Sequence, residues 1–341
     1  MDSVTQIALG AAVAEATIGR KVGNRAILWG AIAGTLPDLD VFVPLGDVVR
    51  DFTYHRSASH SLFVLALVTP LLVWLITRIH RDTRALRNRW LLTVYLVFAT
   101  HVLLDSLTAY GTRIFWPLPL PPVSLSTIFI IDPTYTLPLL IGVIAALVMS
   151  RRSDRGHLVN RYALVLSSIY LAWTLVAKTI VTENFERALR DQGIEYRDIF
   201  STPAPFNTLL WRAVVTDEKG YYEAWYSLLE DDNGIRFSHH PSREDLLGEI
   251  ADHWPVRQLQ WFSRGFYSVS ERNGDIVISD LRMGFEPDYA FQFKVGEISN
   301  PHPKPVLPEQ LLVERDWSLL PLVWKRIWDS HVRWSPAGAD H

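Results

Sequence analysis

The chain has 341 residues, of which 33 are Lys or Arg and 36 are Asp or Glu, and its length allows two or three domains. The absence of cysteine excludes disulfides and cysteine-based zinc sites, and the chain shows no basic footprint for nucleic acid. Residues 1–182 carry long apolar runs and an excess of basic residues. Residues 183–341 carry an excess of acids mixed with aromatic and turn residues, which is typical of a water-soluble fold.

Six apolar segments in the first half predict membrane helices. Four are long enough, or nearly so, to cross a hydrocarbon core, which takes about 20 helical residues. Two are shorter and rich in Gly and Ala, which favours helices packed closely inside a bundle. The long segments are 62–79, 90–110, 133–150 and 162–182, and the short ones are 4–18 and 26–37. The sequence therefore predicts an α-helical polytopic membrane bundle of about six segments over residues 1–182.

Basic residues in three connecting loops predict the orientation of this bundle. Loops rich in Arg and Lys stay in the cytoplasm. Residues 38–61, residues 111–132 and everything after about 183 are then expected on the other face. The loop residues are Arg20, Lys21 and Arg25 in the first loop, Arg78, Arg81, Arg84, Arg87 and Arg89 in the second, and Arg151, Arg152, Arg155 and Arg161 in the third.

The second half predicts an extracytoplasmic α+β domain over residues 183–300. Segments rich in β-branched and aromatic residues alternate with turn signals, which favours a small antiparallel sheet. The predicted strands are 209–216, 221–229, 265–270, 275–282 and 289–295, and the turns are Glu218-Lys219-Gly220, Asp232-Asn233-Gly234 and Arg272-Asn273-Gly274.

Residues 301–341 are predicted as a separate tail. The run NPHPKPVLPEQ indicates a Pro-rich connector. The Trp-rich remainder leaves two alternatives open, a helix lying along the membrane surface or a helix docked on the soluble domain. Its tryptophans are Trp317, Trp324, Trp328 and Trp334.

His101 and Asp105 lie four residues apart in a predicted membrane helix, so both side chains leave the same face. An imidazole and a carboxylate are costly in such a segment unless they are paired or bound to a ligand. They therefore indicate a functional site, with a structural His–Asp contact between helices as the alternative.

Two further pairs of polar residues border the predicted membrane segments. His55 and His60 precede the third segment in YHRSASHSL, and Asp38 and Asp40 follow Pro37 in GTLPDLD. Each pair alone is weak, because such residues are commonly just solvated at a membrane boundary.

The predicted orientation brings all three pairs to one face of the bundle. Neutral imidazoles mixed with carboxylates suit a divalent metal, with zinc favoured and manganese or iron as alternatives. Six candidate donors also leave room for two metal ions. The predicted metal-site residues are Asp38, Asp40, His55, His60, His101 and Asp105.

Three neighbouring residues have predicted supporting roles. Arg56 matches phosphate oxygens and so favours an anionic substrate, with lipid-headgroup anchoring as the alternative. Asp2 and Asp132 are expected on the same face, where they could complete the site, although Asp132 is equally suited to begin a helix before Pro133. Glu15, near Arg20, is expected to snorkel.

Taken in order, the segments MDSVTQIALGAAVAEATIGRKVGNRAILWGAIAGTLPDLD, YHRSASHSL, THVLLDSLTAYGTRIFWP and FIIDPTYTLPLL resemble the YdjM-like predicted membrane-bound metal-dependent hydrolases. The resemblance covers roughly residues 1–145. It implies a multi-pass protein of the bacterial inner membrane, and it supports the same six residues as metal ligands. The His-x-x-x-Asp helix is also similar to that of zinc-dependent phospholipase C enzymes, which is an analogy between motifs only.

These observations predict a metal-dependent hydrolase at the outer face of the inner membrane, with its soluble domain in the periplasm. Its partners are expected to be membrane lipids and a small-molecule or lipid substrate of the phosphoester class, without nucleic acid. Asp38, Asp40, Arg56 and Asp105 are the predicted catalytic residues. The alternatives are a transporter or metal-ion sensor that uses the same His/Asp cluster, and a purely structural scaffold.

Overall fold

The computed structural model describes residues 1–149, 154–230, 234–299, 302–313 and 319–332, and it divides the chain into two compact units. Unit 1 comprises Met1–Leu45 and Tyr54–Thr174, and unit 2 comprises Gly46–Thr53 and Leu175–His341. Several residues that carried predictions lie outside the described ranges: Arg151, Arg152, Asp232, Asn233, Trp317 and Trp334.

Unit 1 is helical. Its helices enclose two neighbouring apolar clusters, one around Trp90 and Phe98 and one around Tyr135 and Leu139. The helices are α1 (Ser3–Ala14), α2 (Arg20–Val22), α3 (Arg25–Thr35), α5 (Leu62–Ile79), α6 (Arg87–Ser106), α7 (Pro133–Met149) and the first part of α8 (Arg155–Asp191), with a π-helical turn at Glu15–Gly19 and 3₁₀ turns at Leu36–Phe42, Ala58–His60 and Arg81–Leu86.

Helices α1 and α3 pack at very close range because glycine lines their contact. A Cβ added at Gly30 would lie 2.3 Å from the carbonyl oxygen of Gly10, and one added at Gly34 would lie 2.6 Å from that of Gln6. Gly30 and Gly34 are four residues apart on one face of α3, the spacing that lets two helix backbones approach each other. This contact brings the start of α1 and the end of α3 together.

The prediction of about six membrane spans is wrong. Among the described residues, two helices are long and apolar enough to cross a membrane: α5, with mean hydropathy 2.3, and the 37-residue α8, with 1.7. Helix α7 is apolar but shorter. Helices α1 and α3 have 12 and 11 residues, or about 18 Å and 17 Å of helix, against a hydrocarbon core of about 30 Å.

Helix α6 fails as a span for a different reason. It has 20 residues, but Arg87, Arg89, His101 and Asp105 lower its hydropathy, and half of its residues are buried in unit 1. The hydropathy of a sequence segment does not distinguish a helix that faces lipid from one that faces protein. The predicted six-segment bundle therefore included helices of both kinds.

Unit 2 confirms the predicted α+β fold with antiparallel sheets. One sheet has the order β1-β2-β3-β4 and another the order β10-β9-β6-β5, and β7 pairs with β8. The predicted turns at Lys219 and Asn273 join β2 to β3 and β5 to β6. The strands are β1 (Asp198–Pro203), β2 (Leu210–Thr216), β3 (Gly220–Ser227), β4 (Ser238–Pro241), β5 (Tyr267–Arg272), β6 (Asp275–Asp280), β7 (Gly284–Phe285), β8 (Asp288–Tyr289), β9 (Gln292–Glu297) and β10 (Lys304–Leu311).

The described part of the tail belongs to unit 2. Residues 304–311, predicted as a connector, form β10 at the edge of a sheet, where prolines are tolerated. Val323 of helix α10 (Leu320–Arg326) and the adjoining Ile327 pack against Leu210, so this part of the tail is docked on unit 2. Trp324 and Trp328 remain exposed.

Unit 2 also takes a short segment from the first half of the chain. Helix α4 (Val48–Tyr54) lies between Asp40 and His55 in sequence, yet Gly46–Thr53 packs in unit 2. Phe52 contacts Phe262 of α9 (Trp254–Phe262), with ring centroids 4.8 Å apart, and Phe291 at 4.5 Å. The chain therefore leaves unit 1 after Leu45 and returns to it at Tyr54.

We expect Gly30→Ala to destabilise the protein by about 1–3 kcal/mol, because the added Cβ forces α1 and α3 apart. The control is Gly234→Ala, where an added Cβ meets no atom of the described residues within 4 Å. Thermal unfolding in detergent, followed by tryptophan fluorescence, measures both. Equal melting temperatures for the two variants would contradict the close helix contact.

Candidate metal centre

Four of the predicted residues place donor atoms around one point in unit 1. Asp38, His60, His101 and Asp105 each offer one ligand atom, and these four atoms all lie within 4.8 Å of one another. His60 Nε2 lies 3.1 Å from Asp105 Oδ2, 3.3 Å from His101 Nε2 and 3.4 Å from Asp38 Oδ1. His101 Nε2 lies 3.6 Å from both carboxylate oxygens.

These spacings suit a bound metal ion. Four ligands held tetrahedrally at about 2.0–2.2 Å from zinc lie about 3.4 Å from one another. Five of the six separations, 3.1 to 3.6 Å, bracket that value, and the sixth, between Asp38 and Asp105, is within 4.8 Å. This group of two imidazoles and two carboxylates could therefore hold a metal ion, and it is called the donor cluster below.

Local structure explains why these side chains converge. His101 and Asp105 share one face of α6, four residues apart, as the sequence predicted. His60 ends a 3₁₀ turn, and Ser61 caps α5 by accepting a hydrogen bond from the Val64 amide. Asp38 follows Pro37 in the 3₁₀ turn Leu36–Phe42 that continues α3.

A backbone carbonyl fixes the tautomer of His101. Its Nδ1 lies 2.8 Å from the carbonyl oxygen of Gly34, which can only accept a hydrogen bond. Nδ1 must therefore carry the proton, and in the neutral ring the lone pair is left on Nε2, the atom in the donor cluster. Metal-binding histidines are commonly oriented in this way.

Ser59 and Asp40 fix the tautomer of His60 by a short relay. The Ser59 hydroxyl donates to Asp40 Oδ2 at 2.5 Å, so its oxygen is left to accept from His60 Nδ1 at 2.9 Å. The proton of His60 is again on Nδ1, and Nε2 faces the donor cluster. Asp40 also accepts the Arg56 amide at 2.9 Å.

Asp40 and His55, which the sequence predicts as metal ligands, thus lie beside the donor cluster and outside it. His55 Nδ1 is 2.9 Å from Asp40 Oδ1, and the His55 ring lies 6.2 Å from that of His60, centroid to centroid. The sequence could not separate the two groups, because a ligand and a residue that orients a ligand have the same side-chain types. The donor cluster holds four of the six predicted residues.

Asp105 is fully buried in the donor cluster, as His60 is. Its Oδ1 accepts from the Gln6 amide at 3.0 Å and from the Met1 amino group. Its Oδ2 faces the two imidazoles and lies 3.4 Å from Arg56 Nε. These cationic and neutral donors compensate for a carboxylate buried in apolar surroundings.

Arg56 borders the donor cluster in a strained conformation. Its φ of 59° lies in the left-handed region, which costs about 1–3 kcal/mol for such a residue. Its backbone is held on both sides, by Asp40 and by the Arg113 amide, which donates to the Arg56 carbonyl at 3.0 Å. Its buried guanidinium lies over the Tyr110 ring, and Nε has no hydrogen-bond partner among the described residues.

The contacts also set the charge of the residues that precede α5. Burial alone would raise the pKa of Asp38, but its close contacts with His101 and His60 outweigh burial and hold the pKa well below its usual value. The pKa of Asp40 is lowered too, because the contacts with His55 and Ser59 outweigh burial. Burial lowers the pKa of His60, yet Asp105 and Asp38 raise it overall. Both acids are ionised at neutral pH.

Asp2 and Asp132, the predicted neighbours, both begin helices instead of joining the donor cluster. Asp2 caps α1 by accepting the Thr5 amide at 3.0 Å. Asp132 accepts the Thr134 amide at 2.9 Å and the Tyr170 hydroxyl at 2.7 Å. Asp132 therefore begins a helix before Pro133, which is the second of the two roles predicted for it.

A second buried polar cluster escaped the sequence analysis. Glu15, expected to snorkel, is buried in the π-helical turn, where it contacts His157 and accepts from Asn160 at 2.6 Å. About 140 residues separate Glu15 from these partners, so no local motif links them. The sequence feature that indicates this cluster is an acid within an apolar segment, because a buried acid of this kind requires a polar partner.

The comparisons with known proteins agree with the order of the motifs. A family model described as YdjM inner membrane protein matches residues 1–181, more than half of the chain. The chain belongs to this family. The predicted resemblance and the association with the inner membrane are confirmed, and the description names no reaction. No curated protein and no solved structure matches the chain.

We expect Ser59→Ala to weaken zinc binding about 10- to 100-fold, the usual cost of losing a partner that orients a ligand. Ser57→Ala is the matched control, since Ser57 is buried in the same segment and its hydroxyl has no hydrogen-bond partner in the described structure. Competition titrations with a zinc chelator, on metal-stripped protein in detergent, give both dissociation constants. Equal affinities would contradict the relay to His60.

Proposed function

We propose that this protein is a metal-dependent hydrolase that acts on a phosphoester at the membrane. The observation that carries the proposal is the donor cluster, in which both imidazoles turn Nε2 toward two carboxylates at metal-ligand spacing. Zinc is the favoured ion because the set is a tetrahedral one of nitrogen and oxygen donors, with manganese and iron as alternatives.

Burial suggests different tasks for the four donors. His60, His101 and Asp105 are almost completely buried, whereas the Asp38 side chain is 19% exposed. Catalytic zinc sites use three protein ligands and keep one position for water or substrate. We assign the three buried residues to holding the metal and Asp38 to the open side, where an ionised carboxylate can accept a proton from the attacking water.

Arg56 and Asp40 complete the proposed machinery. A bound metal would lower the pKa of water and polarise the phosphoryl group. The Arg56 guanidinium, beside Asp105, is suited to stabilise negative charge on the phosphoryl oxygens. Asp40 acts through Ser59 by holding His60 in its tautomer, so we treat it as a positioning residue.

Purified wild-type protein is expected to hold zinc in stoichiometric amount after growth with added metal, whereas His101→Ala and Asp105→Ala lose it. His302→Ala, at an exposed histidine of unit 2, is the control. Elemental analysis measures the metal, and release of p-nitrophenol from p-nitrophenyl phosphate measures hydrolysis. Wild-type protein without metal would overturn the proposal.

A further variant separates hydrolysis from binding alone. Arg56→Gln is expected to keep the metal and lose most of the phosphoester turnover, because Arg56 is assigned to the substrate and not to the ion. Metal without turnover in the wild type would favour the transporter or sensor alternative. The buried cluster at Glu15 would then be a second polar position within unit 1 for an ion to use.

We also propose a multi-pass topology with the donor cluster on the periplasmic side. Arg81 and Arg84 follow the candidate span α5, and Arg155 begins the candidate span α8. Basic residues favour the cytoplasm, so the His60 end of α5 and the chain beyond α8 lie on the other side.

An alkaline phosphatase reporter, which is active only after export, is expected to be active when fused after Gly193 and inactive when fused after Asp82. Gly193 follows α8, and Asp82 lies in the turn after α5. Colony colour and enzyme assays of the two fusions measure the topology. An inactive fusion at Gly193 would place the soluble unit in the cytoplasm and contradict the assignment.

A further inference from the structure

The segment Leu39–Leu45 has an outward apolar surface beside two inward acids, Asp38 just before it and Asp40 within it. Asp38 and Asp40 turn toward the imidazoles of unit 1. The apolar side chains that alternate with and follow them point away: Val41 is 65% exposed and Phe42 is 79% exposed. The other exposed residues are Leu39, Val43 and Leu45, so the segment presents a run of exposed apolar side chains next to the two acids of the site.

A second exposed apolar segment is hydrogen-bonded to the start of α5, next to the donor cluster. Residues 115–125 include four exposed large side chains, Phe115, Leu118, Leu120 and Leu125. The start of this segment is fixed beside the donor cluster, because Ser61 donates to the Trp116 carbonyl at 2.5 Å and the Leu62 amide donates to the Ile114 carbonyl at 3.0 Å. Two apolar segments therefore border one metal site.

The candidate span α5 indicates what covers these segments. It begins at Leu62, two residues after His60, and its exposed side chains form one stripe at helical spacing, namely Phe63, Leu67, Leu71 and Trp74. In a protein of an inner-membrane family, such a stripe faces acyl chains. The segments Leu39–Leu45 and 115–125 lie at the end of that stripe, and contiguous exposed apolar surface of this kind marks an interaction site.

We propose that Leu39–Leu45 and residues 115–125 insert into the bilayer and open the donor cluster to the lipid headgroup layer. Acyl chains are the occupant of this surface, since it continues the lipid-facing stripe of α5. The consequence for substrate rests on the proposed function: the phosphoester belongs to a membrane lipid, and it reaches Asp38 and Arg56 from the bilayer.

The cysteine-free sequence allows a direct test by single labels. Phe42→Cys is labelled with an environment-sensitive fluorophore in vesicles of phosphatidylethanolamine and phosphatidylglycerol, and Val43→Cys serves as a second position in the same segment. Leu67→Cys on the stripe of α5 is the lipid reference. Lys219→Cys, in the exposed turn between β2 and β3, is the aqueous reference.

The label at Phe42 is expected to emit at shorter wavelength than that at Lys219 and to be quenched by brominated lipids, as at Leu67. Quenching by aqueous iodide to the extent seen at Lys219 would overturn the proposal. Protection from both quenchers would also overturn it, because it would show that protein, such as a second copy of the chain, covers the segment.

The substrate consequence has its own readout. Phe42→Asp is expected to reduce hydrolysis of phosphatidylglycerol in vesicles several-fold more than hydrolysis of soluble p-nitrophenyl phosphate. An equal effect on both substrates would overturn bilayer entry. Elemental analysis of the same preparations keeps the two proposals apart: absence of metal from the wild type overturns the proposed function, whereas the quenching pattern alone decides insertion.

Discussion

The need to compensate buried charge governs the whole of unit 1. Asp105 is enclosed among apolar helices, and an uncompensated carboxylate in such a place costs several kcal/mol. Its neighbours, two imidazoles, a guanidinium and an amide, come from three separate parts of the chain. Each of these groups must turn the correct hydrogen-bonding atom toward the Asp105 carboxylate. The packing of α1, α3 and α6 is therefore a condition for the site as well as a source of stability.

The close contact of α1 with α3 shows how packing and chemistry are joined. Gly34 lets the backbone of α1 approach near Gln6, and Gly34 also supplies the carbonyl that holds His101. Gln6 in turn donates to Asp105. The same few residues thus set the distance between two helices and the orientation of two candidate ligands. Small residues at this position serve the geometry of the site as directly as the ligands do.

Some of these features were predictable from the sequence because they depend on local spacing. His101 and Asp105 share a helical face by their separation alone, and the strand and turn signals around Lys219 and Asn273 gave the antiparallel pairs of unit 2. The order of motifs also predicted the family. These properties need no knowledge of what the rest of the chain packs against.

Other features depend on tertiary contacts that no local pattern carries. The number of spans was wrong because α1, α3 and α7 are short and because α6 carries charged residues and is half buried within unit 1. The positions of Asp40 and His55 beside the donor cluster follow from rotamers and from the hydroxyl of Ser59. The partner of Glu15 lies far along the chain. In each case the residue type was informative, and its role was set by a neighbour distant in sequence.

The passage of α4 into unit 2 has a consequence for biosynthesis. Phe52 leaves the ribosome early, whereas its aromatic partners Phe262 and Phe291 follow more than 200 residues later. At about 5–20 residues per second, that interval is on the order of tens of seconds. During it, Phe52 lacks both aromatic partners, so Gly46–Thr53 takes its place in unit 2 only after most of the chain has been synthesised.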